Sequence, residues 1–369
     1  MRRMAERPRV RARQAGEAVI PIVALIFYAG LTFARSAGVA LHPVAGTVLV
    51  LPVLLAAAIA AVSHAEDLAH RAGEPYGTLI LTVAVTLIEA ALIIPSAFGS
   101  GGDPGLPRDT VFSTVMIVCN GLVGLCILMG GILHREQEFD VKGASAYLAV
   151  LSVLCVLTLV LPSYTAATPG PWLSPSQLFF VALVTLLLYG VFLYIQTVRH
   201  AEFFTASLPQ HQASGGLHEP TAMRRAALLF LSLLAAVLLA KSFAAYMTPG
   251  LAAIGAPSGF TGFCVALLVL LPESLTALRA SYRNQLQRSI NLALGSALAT
   301  IGLTVPAVAV ISLYLGRNLV LGLRPQATVL LALTLLVSML TFGTGRTNLL
   351  YGFVHLIIFA TYMLLIFLP

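Results

Sequence analysis

The chain has 369 residues, 59% of them hydrophobic and only 9% charged, with a mean hydropathy of +0.94. A soluble domain carries about 25% charged residues, so this composition excludes a soluble globular protein and points to a polytopic membrane protein. The net charge of +7 is concentrated at one end, with Arg2, Arg3, Arg7, Arg9, Arg11 and Arg13 all in the first 13 positions. Beside an apolar run, such a cluster reads as a topology signal and not as a nucleic-acid patch.

Residues 1–16 are expected to form a basic cytoplasmic N-terminus, followed by a first transmembrane helix over 17–34. A cleaved signal peptide shares this basic-then-apolar pattern. The text that follows is equally apolar, which favours a retained helix. Apolar runs near 44–63, 77–98, 110–133, 144–162 and 176–197 make a first repeat over 44–197. The longest hydrophilic connection, HAEFFTASLPQHQASGGLHEP (200–220), lies in a cytoplasmic linker over 198–225, close to the middle of the chain. Runs near 226–247, 259–278, 289–314, 327–342 and 348–368 make a second repeat over 226–368. A span needs about 20 residues, so 327–342 is the shortest of eleven. The fold expected is all-α: two inverted-topology repeats of five helices, plus one extra N-terminal helix.

Charge tests this layout independently. With the N-terminus in the cytoplasm, the inner loops hold 16 Lys and Arg residues and the outer loops four, Arg35, Arg108, Arg317 and Arg324. That bias places the N-terminus inside and, with an odd number of spans, the C-terminus outside. Lys241 is the one basic residue left within a run, and is expected to reach from near its outer end toward the interface. The cysteines, Cys119, Cys126, Cys155 and Cys264, have no metal or redox spacing and read as small apolar residues.

Of 14 acidic residues, only Glu89 and Glu273 lie well within apolar runs. A charge near the bilayer centre costs about 2.5–3.5 kcal/mol on insertion scales, so two such residues call for a reason. A protonated carboxyl bonded between helices for packing is the plain alternative to a functional site. Glu89 falls in the third run and Glu273 in the eighth, one in each half and on spans of opposite direction. That is the pattern of an inverted-repeat transporter with its site at the midplane.

The surroundings fit a hard cation. Thr78, Thr82, Thr86 and Glu89 recur at spacings of four, four and three, forming one stripe on a helix. Pro272 precedes Glu273 and removes a backbone donor, and Thr276 lies one turn on. The following run in each half carries a further stripe: Ser113, Asn120 and Gly124 in one, Ser296, Thr300 and Thr304 in the other. Gly295 and Gly302 allow close approach of helices. Such oxygen ligands suit calcium, sodium or protons.

Three stretches, GEPYGTLILTVAVTLIEAALI (73–93), RDTVFSTVMIVCNGLVG (108–124) and LPESLTALRASYRNQLQRSINLALGSALATIGLTVP (271–306), resemble the signature repeats of the calcium–cation antiporter superfamily. The resemblance is to its bacterial calcium/proton and sodium–potassium/proton antiporters, and it runs through most of the chain. It implies an eleven-helix secondary transporter of the bacterial inner membrane, exporting calcium, sodium or potassium in exchange for protons. It further implies that Glu89 and Glu273 bind the transported ion and the protons, supported by Asn120, Ser296 and Thr300; the helical stripes add Thr82, Thr86 and Ser113 as supporting residues. Sliding of helices one and six beside the repeats is the implied route to alternating access. No cofactor is implied, and the partners are the transported ions and membrane lipid. The family commonly has Asn three residues before each glutamate and His after the second; here those positions hold Thr86, Leu270 and Ser274. The departures leave the architecture intact and weaken the case for strict calcium selectivity.

Two rival classes are an intramembrane hydrolase and a cation channel. SHAEDLAHR (63–71) offers His64, Glu66 and His70, but the spacing is not that of a His-Glu-x-x-His zinc site. Glu66 fits better as the lining of a cytoplasmic entry. HREQEFDVK (134–142) reads as a solvated loop, with a regulatory cation site as its alternative, and His355 reads as a packing residue in preference to a proton relay. No phosphate-binding loop, nucleophile motif or nucleic-acid module is present.

Overall fold

A computed structural model describes residues 2–368 apart from 40, 74–75, 100–101, 169 and 205–219, with the side chains of 2–18 and 220–222 also outside the description. Residues 205–219 of the linker expected over 198–225 therefore lie outside the described residues. Among these residues, eleven helices are long and apolar enough to cross a membrane. They are α1 (Arg2–Ser36), α2 (Pro43–Ala72), α3 (Tyr76–Phe98), α4 (Leu106–His134), α5 (Val141–Ser163) and α6 (Pro175–Arg199) in the first half. The second half holds α7 (Pro220–Ala253), α8 (Ser258–Tyr282), α9 (Leu286–Leu315), α10 (Pro325–Phe342) and α11 (Leu349–Phe367). In lipid every backbone N–H and C=O must bond internally, and a helix does so within itself.

Helix ends follow local chemistry. Proline, whose missing N–H costs nothing in a first turn, opens α2, α4, α6 and α10. Ser174 and Gln177 form a reciprocal capping box on α6. Asp140 and Asn348 accept backbone N–H groups at the starts of α5 and α11. The helix α2 runs on through Pro52 and ends only at Gly73, at φ 67°, so SHAEDLAHR continues the helix.

The chain divides into two compact units, residues 1–96 with 210–254, and 97–209 with 255–369. In the first, α2 and α7 pack antiparallel over most of their length. At one end Gly46 leaves room for the Tyr246 ring, which a Cβ would meet at 2.5 Å. At the other, Arg225 reaches Asp67 at 2.7 Å and His64 Nδ1 at 3.4 Å. Buried alanines, among them Ala57, Ala61, Ala236 and Ala240, let the backbones approach between these ends. Arg35 of α1 donates to the Tyr246 hydroxyl at 3.0 Å and lies over its ring. Lys241 is exposed on α7, roughly 18 Å from its end at 1.5 Å per residue.

In the second unit the heavily buried α4 lies against α8, α9 and α11. Gly262 of α8 rests on the Asp109–Thr110 backbone of α4, and Ser281 Oγ donates to the Cys126 carbonyl at 2.6 Å. These two ties show that α4 and α8 run parallel. The turn after Tyr282 reverses the chain, with Asn284 at φ 58°, so α9 runs antiparallel to both. Ser289 Oγ fastens α9 to the Ala277 carbonyl of α8 at 2.6 Å.

The connections of this unit sort into two sets. Gln137 bonds Asn284, the Asp140 N–H bonds Gln287 and Asn291 bonds the Phe204 carbonyl, gathering the turns between successive spans on one side. Pro104, Pro171 and Leu159 carbonyls bond the 320–323 backbone on the other. The first set carries Arg135, Lys142, Arg199, Arg279, Arg283, Arg288 and Arg346; the second carries Arg108, Arg317 and Arg324.

The stretch 134–142 departs from expectation. It forms strand β1 (Glu136–Glu138), paired antiparallel with β2 (Arg346–Asn348), and Gln137 is buried. Pairing with a second strand satisfies backbone groups that a solvated loop would leave to water.

The Gly262 contact yields a prediction. A Cβ there would lie 2.7–2.9 Å from Asp109 and Thr110 atoms, two of them backbone, so Gly262→Ala must push α8 off α4. Overpacking of this kind typically costs about 1–3 kcal/mol. Thermal unfolding in detergent should show a clear fall in midpoint, and an unchanged midpoint would contradict the packing described.

Candidate cation site

Glu89 is 2% exposed, on α3 in the first unit. The threonine stripe beside it is real and half-buried. Thr82 Oγ1 donates to the Thr78 carbonyl and Thr86 Oγ1 to the Thr82 carbonyl, each at 2.8 Å. Each hydroxyl hydrogen is thus committed to the helix backbone, and the oxygen lone pairs remain available to a cation.

Glu273 is half-buried on α8 in the second unit, directly after Pro272, in a helix that stays continuous from Ser258–Tyr282. It lies about 16 Å along α8 from Gly262, which brings it level with Cys119 and Asn120 of α4. There α4 changes to the wider π pattern over Ile117–Leu122. Such turns recur at functional sites, because they displace the register of bonds and side chains within a helix. Counted from the Ser289–Ala277 tie, Ser296 of α9 falls within one turn of the Glu273 level, and Thr300 about one turn further. Ser296 is half-buried, and Thr300 opens a second π turn, Thr300–Thr304. Both α4 and α9 thus contain a π turn. Gly302 within it accommodates the Tyr189 ring of α6.

Asn120 is fully buried and its amide is held from two helices. Nδ2 donates to Thr334 Oγ1 of α10 at 2.9 Å, and Oδ1 is 3.1 Å from His355 Nδ1 of α11. His355 Nε2 is 3.0 Å from Thr341 Oγ1. Sequence reasoning missed this α10 contribution. The signal was present in VLLALTLLVSMLTF, where Thr334, Ser338 and Thr341 recur at spacings of four and three, and all three are buried.

Ser113 lies apart from this group, about 10 Å along α4 from Asn120. It pairs with the Tyr362 hydroxyl at 2.6 Å, in a cavity also lined by Asp109, Arg108 and Arg324. Asp109 accepts from Arg108 Nε at 2.7 Å. Glu66 is exposed near the end of α2, while its neighbour Asp67 takes the ion pair with Arg225.

The sodium/calcium exchanger protein family model matches residues 42–198 and 225–368, most of the chain in two blocks. The chain belongs to the sodium/calcium exchanger family. It is therefore a secondary transporter and not an enzyme. Its sequence is 41% identical to the sodium-potassium/proton antiporter ChaA of Escherichia coli, over 88% of this chain and 89% of that protein. The fold is similar to native YfkE, with a TM-score of 0.66 at 18% identity, covering 86% of this chain and 92% of that one. It is equally similar to the H+/Ca2+ exchanger CAX, with a TM-score of 0.66 at 15% identity, covering 94% and 88%.

Removing the Asn120 amide leaves buried partners at Thr334 and His355. Asn120→Ala is expected to cost about 1–3 kcal/mol of stability, read as a lower unfolding midpoint. Glu138→Gln, which deletes an exposed pair with Arg346 at 2.9 Å, should change stability by less than about 1 kcal/mol. Equal effects from the two would contradict the burial described.

Proposed function

We propose that this transporter is a cation/proton antiporter in which Glu89 and Glu273 alternately hold a cation and protons. The observation that carries the reading is one carboxylate in each family-matched block, on the second helix of each repeat, followed in both by a helix with a π turn and a polar face. The name of its relative ChaA supports proton coupling, with sodium and potassium as cargo. Calcium is the third candidate, since two carboxylates neutralise a divalent ion in full.

In this reading the repeats are 44–197 and 226–368, joined by a cytoplasmic linker over 198–225. Asn120, Ser296 and Thr300 supply neutral oxygens beside Glu273, as Thr82 and Thr86 do beside Glu89. Cation and protons compete for the same carboxylate oxygens, so release of one permits capture of the other, and no separate relay is needed. In this reading the side of the second unit richer in Arg and Lys is cytoplasmic, in keeping with the positive-inside rule, the N-terminus is inside, and the membrane is the bacterial inner membrane. The proton gradient then drives cation outward, with Glu66 near the cytoplasmic entry.

Everted vesicles with a pH-sensitive dye test this directly. Glu89→Gln and Glu273→Gln should each abolish proton movement on addition of calcium, sodium or potassium, with protein levels maintained; retained exchange in either sinks the two-carboxylate site. Competition also fixes a sign: the apparent cation KM should rise as pH falls, approaching about tenfold per pH unit for each competing proton. A KM independent of pH would separate proton movement from the cation site.

A further inference from the structure

His355 of α11 is fully buried among apolar spans, with both ring nitrogens engaged, and the antiport reading assigns it no role. Its hydrogen-bond directions follow from Thr334. The Thr334 hydroxyl donates to its own helix at the Leu330 carbonyl, 2.8 Å away, so it faces Asn120 as an acceptor. The Asn120 group at Thr334 is therefore the NH2, which turns Oδ1 toward His355. An amide oxygen only accepts, so His355 carries its hydrogen on Nδ1. Nε2 then accepts from Thr341.

The backbone is arranged to permit this contact. Gly352 of α11 leaves no room for a Cβ against the Leu128 backbone of α4, at 2.8 Å. A Cβ at Gly124 would lie 3.1 Å from His355 Cβ, and Gly121 is packed against Phe359. Three glycines bring α11 close enough to α4 for a short imidazole to reach the π turn. The β1–β2 pairing and the Asn348 cap set the register of α11 one strand earlier.

We infer that His355 is a positioning residue for cation binding. Its Nδ1–H holds the Asn120 amide in one orientation, leaving one lone pair of Oδ1 for the ion beside Glu273. The Thr341 hydroxyl, by bonding Nε2, holds the ring in the required tautomer. This rests on the site proposed above, and it assigns α10 and α11 a part in cation affinity.

The test measures cation dependence of exchange in proteoliposomes for full-length His355→Asn, His355→Gln and His355→Phe, for Asn120→Ala, and for the His355→Phe/Asn120→Ala double variant. An asparagine amide can stand where Nδ1 does, whereas glutamine reaches only the Nε2 position. His355→Gln and His355→Phe should raise cation KM by about 10–100-fold, the usual effect of losing a group that orients a metal ligand, with a smaller change in maximal rate. His355→Asn should recover most of that loss. The double variant should bind no more weakly than Asn120→Ala alone. A His355→Gln KM equal to wild type, full additivity in the double variant, or equal KM loss in Asn and Gln variants would each overturn the inference. The Asn–Gln comparison stands even where the Phe variant does not fold. Glu273→Gln in the same preparation separates the two readings. Retained exchange there removes the proposed site, whereas loss of exchange with unmoved His355→Gln KM removes only the role of His355.

Discussion

The hydrocarbon interior offers a polar group no water, and nearly every feature of this fold answers to that constraint. Backbone groups are satisfied by helices. Hydroxyls on apolar spans bond backward to their own carbonyls, as Thr82, Thr86 and Thr334 do. Asn120, which cannot satisfy itself, is matched across helices by Thr334 and His355. Against that economy, two carboxylates within the spans are a deliberate expense, and the transport reading gives them a use.

Close approach is the second theme. Helices in lipid gain little from apolar contact, because the solvent is equally apolar. Packing therefore depends on how near two backbones can come. Gly46 under Tyr246, Gly262 on the α4 backbone and Gly352 on Leu128 are the points where this fold brings its spans together. The π turns act in the opposite sense, widening α4 and α9 and displacing the polar residues that follow. Tight contacts hold the frame, and the loosened turns shape the interior between them.

The side of the second unit that carries most of its basic residues is braced by side-chain bonds and a short strand pair. Gln137, Asp140 and Asn291 link turns that are far apart in sequence, and β1–β2 joins the end of α4 to the start of α11. Such bonds lie where water competes and are individually weak. Their value is in register: they set how far along α4 the side chains of α11 can reach.

Much of this was legible beforehand. Eleven spans follow from apolar run length, because bilayer thickness dictates it, and the carboxylate pair is legible because charge in an apolar run is rare and costly. The threonine stripe beside Glu89 follows from helical periodicity alone. Other features were not. The stripe on α10 has the same spacing, yet nothing local says that it faces Asn120 and not another span. The strand within 134–142 depends on a partner more than 200 residues away. Ser113 shares a helical face with Asn120, but its partner Tyr362 places it in a separate cavity. Sequence by itself determined which residues are too polar for the membrane, since that cost belongs to each side chain and its neighbours in the run. Only the tertiary structure decided which of them meet, since depth and rotation of one helix against another are set by contacts between residues far apart in the chain.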